Sequence, residues 1–275
     1  MDLLRTRWRD GDTALCVGLD PDLERIPDIA LRGSRPVLEF CCNIVDATAD
    51  AVCAFKPQVA YFAALGLEAD LAELIAYIHT RHPLVPVILD AKRGDIGATA
   101  RLYAREAFVR FGADAVTVSP YLGLESIEPY FDYPERGVIV LCRTSNPDSA
   151  WLQNYPEDDP VYLRVARGVA KWNSHGNLML VAGATYAEDL GRIRSLVRDM
   201  PLLVPGVGAQ GGDLEAVLRA GLDGNGQGLV INASRAVLYA DRGADYAMAA
   251  ETAARALRDD IRRLQGEIAP HGAVV

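Results

Sequence analysis

The residues with the greatest potential for chemistry lie in the stretch LDAKRGDIGATA, from Leu89 to Ala100. Asp90, Lys92 and Asp95 follow the apolar run VPVIL, which has the composition of a buried strand. Side chains two residues apart on a strand point the same way, so Asp90 and Lys92 should share one face. We expect a helix to begin beyond Gly94, which would place Asp95 and Thr99 on one helical face.

Two carboxylates around one lysine favour the ammonium form of that lysine. One such attraction across about 4 Å is worth roughly 4 kcal/mol at an effective dielectric of 20. A cation fixed in this way can stabilise developing negative charge and donate a proton, but it is not the free amine of a Schiff-base lysine. Lys56, in the run AVCAFKP, adds a second cation. A structural salt-bridge network is the alternative, although uncompensated buried charge is costly and favours a chemical use.

A second candidate site lies in PGVGAQGGD, residues 205–213, which contains a G-x-G-x-x-G match. Only one strand-like run follows it, too little chain to complete a dinucleotide-binding domain. Gly206 and Gly208 would instead let the backbone approach a phosphate group, with N–H groups of the next helix pointing at the anion. Ser234 and Arg235 follow the last apolar run and offer a backbone N–H and a guanidinium. We therefore predict a phosphate site, with a plain tight turn as the alternative.

The elements that must position these residues are eight short apolar runs alternating with segments of helical periodicity. The runs cover residues 13–20, 51–57, 85–92, 113–120, 137–145, 177–183, 201–206 and 228–234. Such an alternation indicates a parallel sheet covered on both faces. Eight units in 275 residues favour an α/β fold of the (β/α)8 TIM barrel type, with an open doubly wound sheet as the runner-up. We predict a single domain over residues 1–275, with a short N-terminal helix and a poorly ordered C-terminal tail from Gly266.

Most of these runs end in polar or glycine residues, which would gather at the carboxyl-terminal rim of a barrel, where active sites are built. The run ends are Asp20, Lys56, Asp90, Lys92, Ser119, Ser145, Gly206 and Ser234.

Composition excludes several other classes of protein. The net charge of −9 argues against a broad nucleic-acid surface, and no apolar run has the roughly 18 residues of a membrane span. The five cysteines lack disulfide or zinc spacing and indicate a reducing cytoplasm. His79 and His82 lack a third ligand nearby, so we predict no metal site.

Five motifs together give the chain its resemblance to a known family. They are GLDP (18–21), FKP (55–57), DAKRGDIGATA (90–100), PGVGAQGG (205–212) and ASR (233–235). In order and spacing they resemble the orotidine 5′-phosphate decarboxylases, and the length and central block look like the longer bacterial type 2 subfamily. The resemblance implies cofactor-independent decarboxylation of orotidine 5′-monophosphate (OMP) to UMP in pyrimidine biosynthesis.

The resemblance also implies a role for each matching residue. Lys92 would donate the proton to C6, and Asp90 would lie against the substrate carboxylate. Asp95 and Thr99 would reach the active site of a partner subunit, which implies a homodimer with shared sites. The remaining residues expected to bind substrate or support the charges are Lys56, Asp20, Ile96, Ser145, Gly206, Gly208, Gln210, Ser234 and Arg235.

Residues 143–160 have no clear period, and we interpret them as a mobile lid over the base. Ser145 is the favoured contact to the base, and Thr144, the preceding residue, is the alternative. A surface insertion without a catalytic role is the alternative to a lid. Three competing functions stay open. They are a Mg²⁺-dependent sugar-phosphate decarboxylase of the same superfamily, a Schiff-base aldolase and a phosphonucleotide-binding barrel without turnover.

Overall fold

The computed structural model describes residues 1–207 and 213–269. Its eight parallel strands coincide with the eight apolar runs. They are β1 (Leu15–Leu19), β2 (Ala54–Pro57), β3 (Ile88–Arg93), β4 (Ala115–Val118), β5 (Gly137–Arg143), β6 (Leu178–Ala182), β7 (Leu202–Pro205) and β8 (Leu229–Ala233). The strands are apolar along nearly their whole length because both of their faces are buried.

The α-helices lie before, between and after the strands. They are α1 (Asp2–Arg9), α2 (Pro36–Thr48), α3 (Val59–Ala63), α4 (Glu68–Arg81), α5 (Gly97–Arg105), α6 (Ala150–Gln153), α7 (Val161–Trp172), α8 (Ala187–Val197), α9 (Leu214–Gly221), α10 (Arg235–Leu238) and α11 (Tyr246–Ile268). Where strands alternate with helices in this way, the helices cover the outside of the sheet and leave the strand ends free to carry a site.

The sheet closes into a barrel. Its hydrogen-bonded order is β2-β1-β8-β7-β6-β5-β4-β3, and the bridges Phe55–Val87 and Gln58–Asp90 join β2 to β3. Closure removes the sheet edges and confirms the predicted (β/α)8 barrel over the open doubly wound alternative. The buried apolar side chains form one cluster that runs from Leu4 to Leu264.

Two sequence-based boundaries were wrong. Helix α5 begins at Gly97, so Asp95 precedes the helix and does not share a helical face with Thr99. Gly97 has a φ of +55°, a left-handed conformation that glycine adopts without strain. Poor order was also predicted from Gly266 onward, but α11 continues to Ile268; residues 270–275 lie outside the described residues. The predicted N-terminal helix is present as α1.

Candidate active site

Three charged side chains meet at the ends of β2 and β3. Lys56 Nζ donates to Asp90 Oδ2 at 2.9 Å, and Lys92 Nζ donates to Asp90 Oδ1 at 2.7 Å. The side chains of Lys56 and Asp90 are only 6% and 10% exposed, whereas that of Lys92 is 47% exposed. The carboxylate is thus held between two ammonium groups, and Lys92 is the one that faces accessible space.

The surroundings of the pair favour its ionised form. Burial alone would raise the pKa of Asp90, but the two ammonium groups of Lys56 and Lys92 outweigh burial and hold that pKa well below its ordinary value. Burial would likewise lower the pKa of Lys56, yet the carboxylates of Asp90 and Asp20 raise it above its usual range. Asp90 and Lys56 therefore both carry their charges near neutral pH.

Thr117, on β4, holds the backbone that carries these charges, and the sequence-based interpretation missed it. Its hydroxyl donates to Asp90 Oδ1 at 2.8 Å and accepts from the N–H groups of Ala91 and Lys92 at 3.0 and 2.9 Å. All the hydrogen-bonding capacity of the hydroxyl is therefore used. A polar residue in the centre of the apolar run ADAVTVSP was the signal available in the sequence.

The backbone at Lys92 departs from a regular strand. Its φ is +47°, in the left-handed region that costs free energy for a residue with a Cβ, and the pairing of β3 with β4 shifts register between Leu89 and Arg93. The alternation of side chains along a regular strand is therefore not enough to explain why Asp90 and Lys92 lie on the same side. The two side chains do meet, through this bend and the hydroxyl of Thr117.

A cavity of about 600 Å³ opens at this charged group. Its lining includes Lys56, Asp90 and Lys92 on one side and residues of the 143–160 segment on the other. Ser145 and Thr144 both line it, but the Thr144 hydroxyl donates to Asn146 Oδ1 and accepts from Gln153 Nε2. Among the described residues the Ser145 hydroxyl has no such bond, which leaves it available to a ligand.

Asp95, Ile96 and Thr99 do not join this group within the chain. The Asp95 carboxylate accepts from the Ile96 N–H at 2.8 Å, and within the described part of the chain the ion pair of Lys92 is with Asp90. The expectation that Asp95 brackets Lys92 in the same chain is therefore wrong. Ile96 and Thr99 are exposed.

Asp20 follows β1 on the other side of Lys56. One of its carboxylate oxygens, Oδ1, is buried without a hydrogen-bond partner among the described residues. Its carbonyl oxygen accepts from the Tyr239 hydroxyl at 2.8 Å, which ties the loop after β1 to the end of α10. A buried acceptor without a donor is costly, so this oxygen is suited to a hydroxyl of a bound molecule.

Of the predicted phosphate residues, Gly206, Ser234 and Arg235 lie at the ends of β7 and β8. Gly206 has a φ of +97°, and Gly18 leaves room for the Ser234 hydroxyl, which would lie 2.0 Å from a Cβ at that position. Arg235 is exposed and lines a neighbouring cavity of about 420 Å³ together with Arg25, which the sequence-based interpretation did not select. Gly208 and Gln210 lie outside the described residues.

Within residues 1–207 and 213–269 no three His, Cys, Asp or Glu side chains are grouped as a metal site requires. In the same ranges, none of the helices combines the length and apolar character needed to cross a membrane.

The closed barrel, with two lysines and a carboxylate at its carboxyl-terminal rim, defines a (β/α)8-barrel enzyme that works through charged side chains. Comparison with known proteins gives the family. The family model of orotidine 5′-phosphate decarboxylase / HUMPS matches residues 13–250, and the chain belongs to this family.

Individual relatives cover nearly the whole chain. The orotidine 5′-phosphate decarboxylase of Azoarcus sp. (strain BH72) is 56% identical over 95% of this chain and 97% of its own length. That of Cupriavidus taiwanensis is 54% identical over 94% and 96%. Among solved structures, Leishmania donovani OMP decarboxylase has a TM-score of 0.84 at 38% identity and covers 96% of this chain and 98% of that one. The resemblance seen in the sequence is thereby confirmed.

Proposed function

We propose that this protein is a carboxy-lyase that converts OMP to UMP and CO₂ in pyrimidine biosynthesis. The observation that carries the proposal is the Lys92 ammonium, which is held 2.7 Å from a buried carboxylate and faces a cavity large enough for a nucleotide. Family membership and the relatives named for this activity support the same conclusion.

The reaction needs a fixed positive charge beside C6 of the pyrimidine. When the bond between C6 and the carboxylate breaks, CO₂ leaves and the electron pair stays on C6. The Lys92 ammonium stabilises that charge and then transfers a proton to C6, so that a C6–H bond forms and the lysine amine regains its proton from water. Because Asp90, Lys56 and Thr117 hold the ammonium before substrate arrives, little reorganisation is needed during the reaction.

Asp90 acts on the substrate as well as on Lys92. Its low pKa keeps it ionised, and a carboxylate at contact distance from the substrate carboxylate is repelled by a few kcal/mol at an effective dielectric near 20. Loss of CO₂ removes this repulsion, so the interaction favours the product side of bond cleavage.

The rest of the nucleotide is bound at the other rim positions. Ser145 and Gln210 bind the base, and Asp20 and Lys56 bind the ribose, for which the unpartnered Asp20 oxygen is suited. The phosphate is bound at the ends of β7 and β8 by Gly206, Gly208, Gln210, Ser234 and Arg235. Binding energy from this distant group can be used to orient the ring at Lys92.

Two subunits form each pair of active sites in this proposal. Asp95, Ile96 and Thr99 extend into the site of the partner subunit, where Asp95 supplies the second carboxylate near Lys92. Exposed apolar side chains on the surrounding surface support an interface there: Ile96 is 49% exposed, Leu102 62% and Tyr121 76%. We further propose that the chain is a single domain that works in the cytoplasm, which suits its five free cysteines.

An ultraviolet assay of OMP loss in the presence of EDTA tests the proposed function. We expect full conversion to UMP and CO₂ with the chelator present. Activity that disappears with EDTA and returns with Mg²⁺ would favour the sugar-phosphate class, and UMP binding without CO₂ release would indicate a binding protein.

A further inference from the structure

Arg143, the last residue of β5, is buried two positions beyond Leu141, which lines the cavity. The Arg143 side chain is 1% exposed, and its Nε donates to Asp189 Oδ2 at 2.8 Å, while the Tyr186 ring lies 3.7 Å from its Cζ. The other oxygen of Asp189 accepts from the Tyr162 hydroxyl. One edge of the guanidinium is thus fixed to the start of α8 through Nε, while Nη2 is buried without a hydrogen-bond partner among the described residues.

The other edge of the guanidinium holds the segment after β5. Arg143 Nη1 donates to the Thr144 carbonyl at 3.1 Å, to Ser149 Oγ at 2.6 Å and to Gln153 Oε1 at 3.3 Å. Gln153 Oε1 also accepts from the Thr144 N–H, and its Nε2 donates to the Thr144 hydroxyl, both at 2.9 Å. Arg143 and Gln153 together thus bond the N–H, carbonyl and hydroxyl of Thr144, and the side chains of Asn146 and Ser149 add one bond each.

This fixes the residue that comes next, Ser145. Its carbonyl accepts from the Thr185 hydroxyl at 3.4 Å, and a Cβ at Gly183 would lie 2.7 Å from its N and Cα atoms. The Ser145 backbone is thus held by Thr144 on one side and by the end of β6 on the other. Ser145 also lines the cavity that contains Lys92.

We propose that Arg143 and Gln153 are positioning residues that hold the Ser145 hydroxyl in place against the pyrimidine edge. The inference rests on the proposed function, because it requires a pyrimidine base in the cavity. Gln153 lines the same cavity as Lys92, but in this proposal both residues act by fixing Thr144 and thereby the position of Ser145.

A double-mutant cycle separates this role from a merely structural one. Gln153→Ala and Ser145→Ala should each lower kcat/KM for OMP by about 10- to 100-fold, the loss expected from a misplaced contact. The double variant should be no worse than Ser145→Ala alone, because Gln153 acts through Ser145. The dissociation constant for ribose 5-phosphate, which lacks the base, should stay within about 2-fold of wild type in all three variants.

Gln265→Ala is the matched control. This glutamine also bonds a backbone carbonyl, that of Gly226, but at the opposite end of the barrel, so its loss should leave kcat/KM unchanged. If the losses of Gln153→Ala and Ser145→Ala multiply in the double variant, the positioning role is overturned. A wild-type protein that does not convert OMP would instead refute the proposed function, so the two failures are distinct.

Gly183→Ala tests the same geometry without touching the polar network. The new Cβ must displace the Ser145 backbone, and we expect a loss in kcat/KM similar to that of Gln153→Ala with ribose 5-phosphate binding retained. Gly191→Ala is its control, since a Cβ there meets its nearest neighbour at 3.8 Å, an ordinary contact. Wild-type kcat/KM in Gly183→Ala would contradict the inference even if Gln153→Ala failed to fold.

Discussion

Lys56 Nζ lies 2.9 Å from Asp90 Oδ2, although the two residues are 34 positions apart and each side chain is at least nine-tenths buried. A pair of opposite charges so far from solvent is stable only as a pair, because removing one partner leaves the other charge uncompensated. The pair therefore links the stability of the barrel to the geometry of the site, since the same carboxylate also holds Lys92.

Lys56→Met should lower the free energy of unfolding at pH 7 by about 3 kcal/mol, the usual cost of breaking a buried ion pair. The pKa of Asp90 is depressed in the folded state, so its contribution is present above its unfolded-state pKa of about 3.9 and is lost as the pH falls through the folded value. The difference in free energy of unfolding between Lys56→Met and the wild type should therefore become smaller below about pH 4.

The raised pKa of Lys56 sets the alkaline limit of the pH range in which the ion pair stabilises the fold. Its contribution is fully present below an unfolded-state pKa of about 10.4 and is lost as the pH rises through the higher folded value. Denaturant titrations across this pH range measure both effects, with the exposed Lys171→Met as control. If the free energies of unfolding of Lys56→Met and the wild type differ by the same amount from pH 7 to pH 3, the depressed pKa of Asp90 is contradicted.

Lys92→Ala should abolish turnover, with a loss in kcat of more than about 10³-fold, because both the stabilising charge and the proton donor are removed. UMP binding should persist, since the phosphate contacts are distant. Steady-state kinetics and UMP titration measure the two effects. Lys171→Ala, which removes an exposed lysine outside the site, should behave as wild type, and near-wild-type turnover of Lys92→Ala would end the proton-donor assignment.

Thr117→Val should lower both stability and kcat. The change removes one donor to Asp90 and the acceptor of two backbone N–H groups, which should reduce the free energy of unfolding by about 1–3 kcal/mol. It also releases the left-handed backbone at Lys92, so kcat should fall while KM changes little. Thr80→Val, on the exposed side of α4, is the control and should shift stability by less than about 0.5 kcal/mol. An unchanged kcat would show that Thr117 only supports the fold.

Arg235→Ala should weaken substrate binding and leave the catalytic residues around Lys92 unchanged. Loss of one guanidinium contact to phosphate should raise KM by about 10- to 100-fold, in line with 1.5–3 kcal/mol for a charge-assisted hydrogen bond. Arg219→Ala, which removes an exposed arginine paired with Glu215 on α9, should leave KM unchanged. A variant that keeps the wild-type KM would remove Arg235 from the phosphate site.

Subunit mixing tests the shared active site. Lys92→Ala and Asp95→Ala homodimers should each be inactive, but a heterodimer of the two should recover activity, because one of its sites takes Lys92 from one subunit and Asp95 from the other. Differently tagged subunits allow the heterodimer to be purified and assayed. Verified heterodimers without activity would count against a site built from two chains.

The amino-acid sequence determined the architecture and the chemical groups. Eight apolar runs alternating with helical segments indicate the barrel because strand burial and helix periodicity are local properties of the chain. The placement of Asp90, Lys92 and Lys56 at run ends predicted where charge would gather, since parallel strands present their carboxyl ends to one rim.

Contacts between distant residues were decided by the tertiary structure. Thr117 meets Asp90, and Arg143 meets Asp189, through the packing of separate strands and helices that no local pattern encodes. The bend at Lys92 coincides with a shift in the register between β3 and β4, which periodicity does not report. Sequence periodicity records which face of an element is buried, whereas the partner across that face depends on how all eight strands close together.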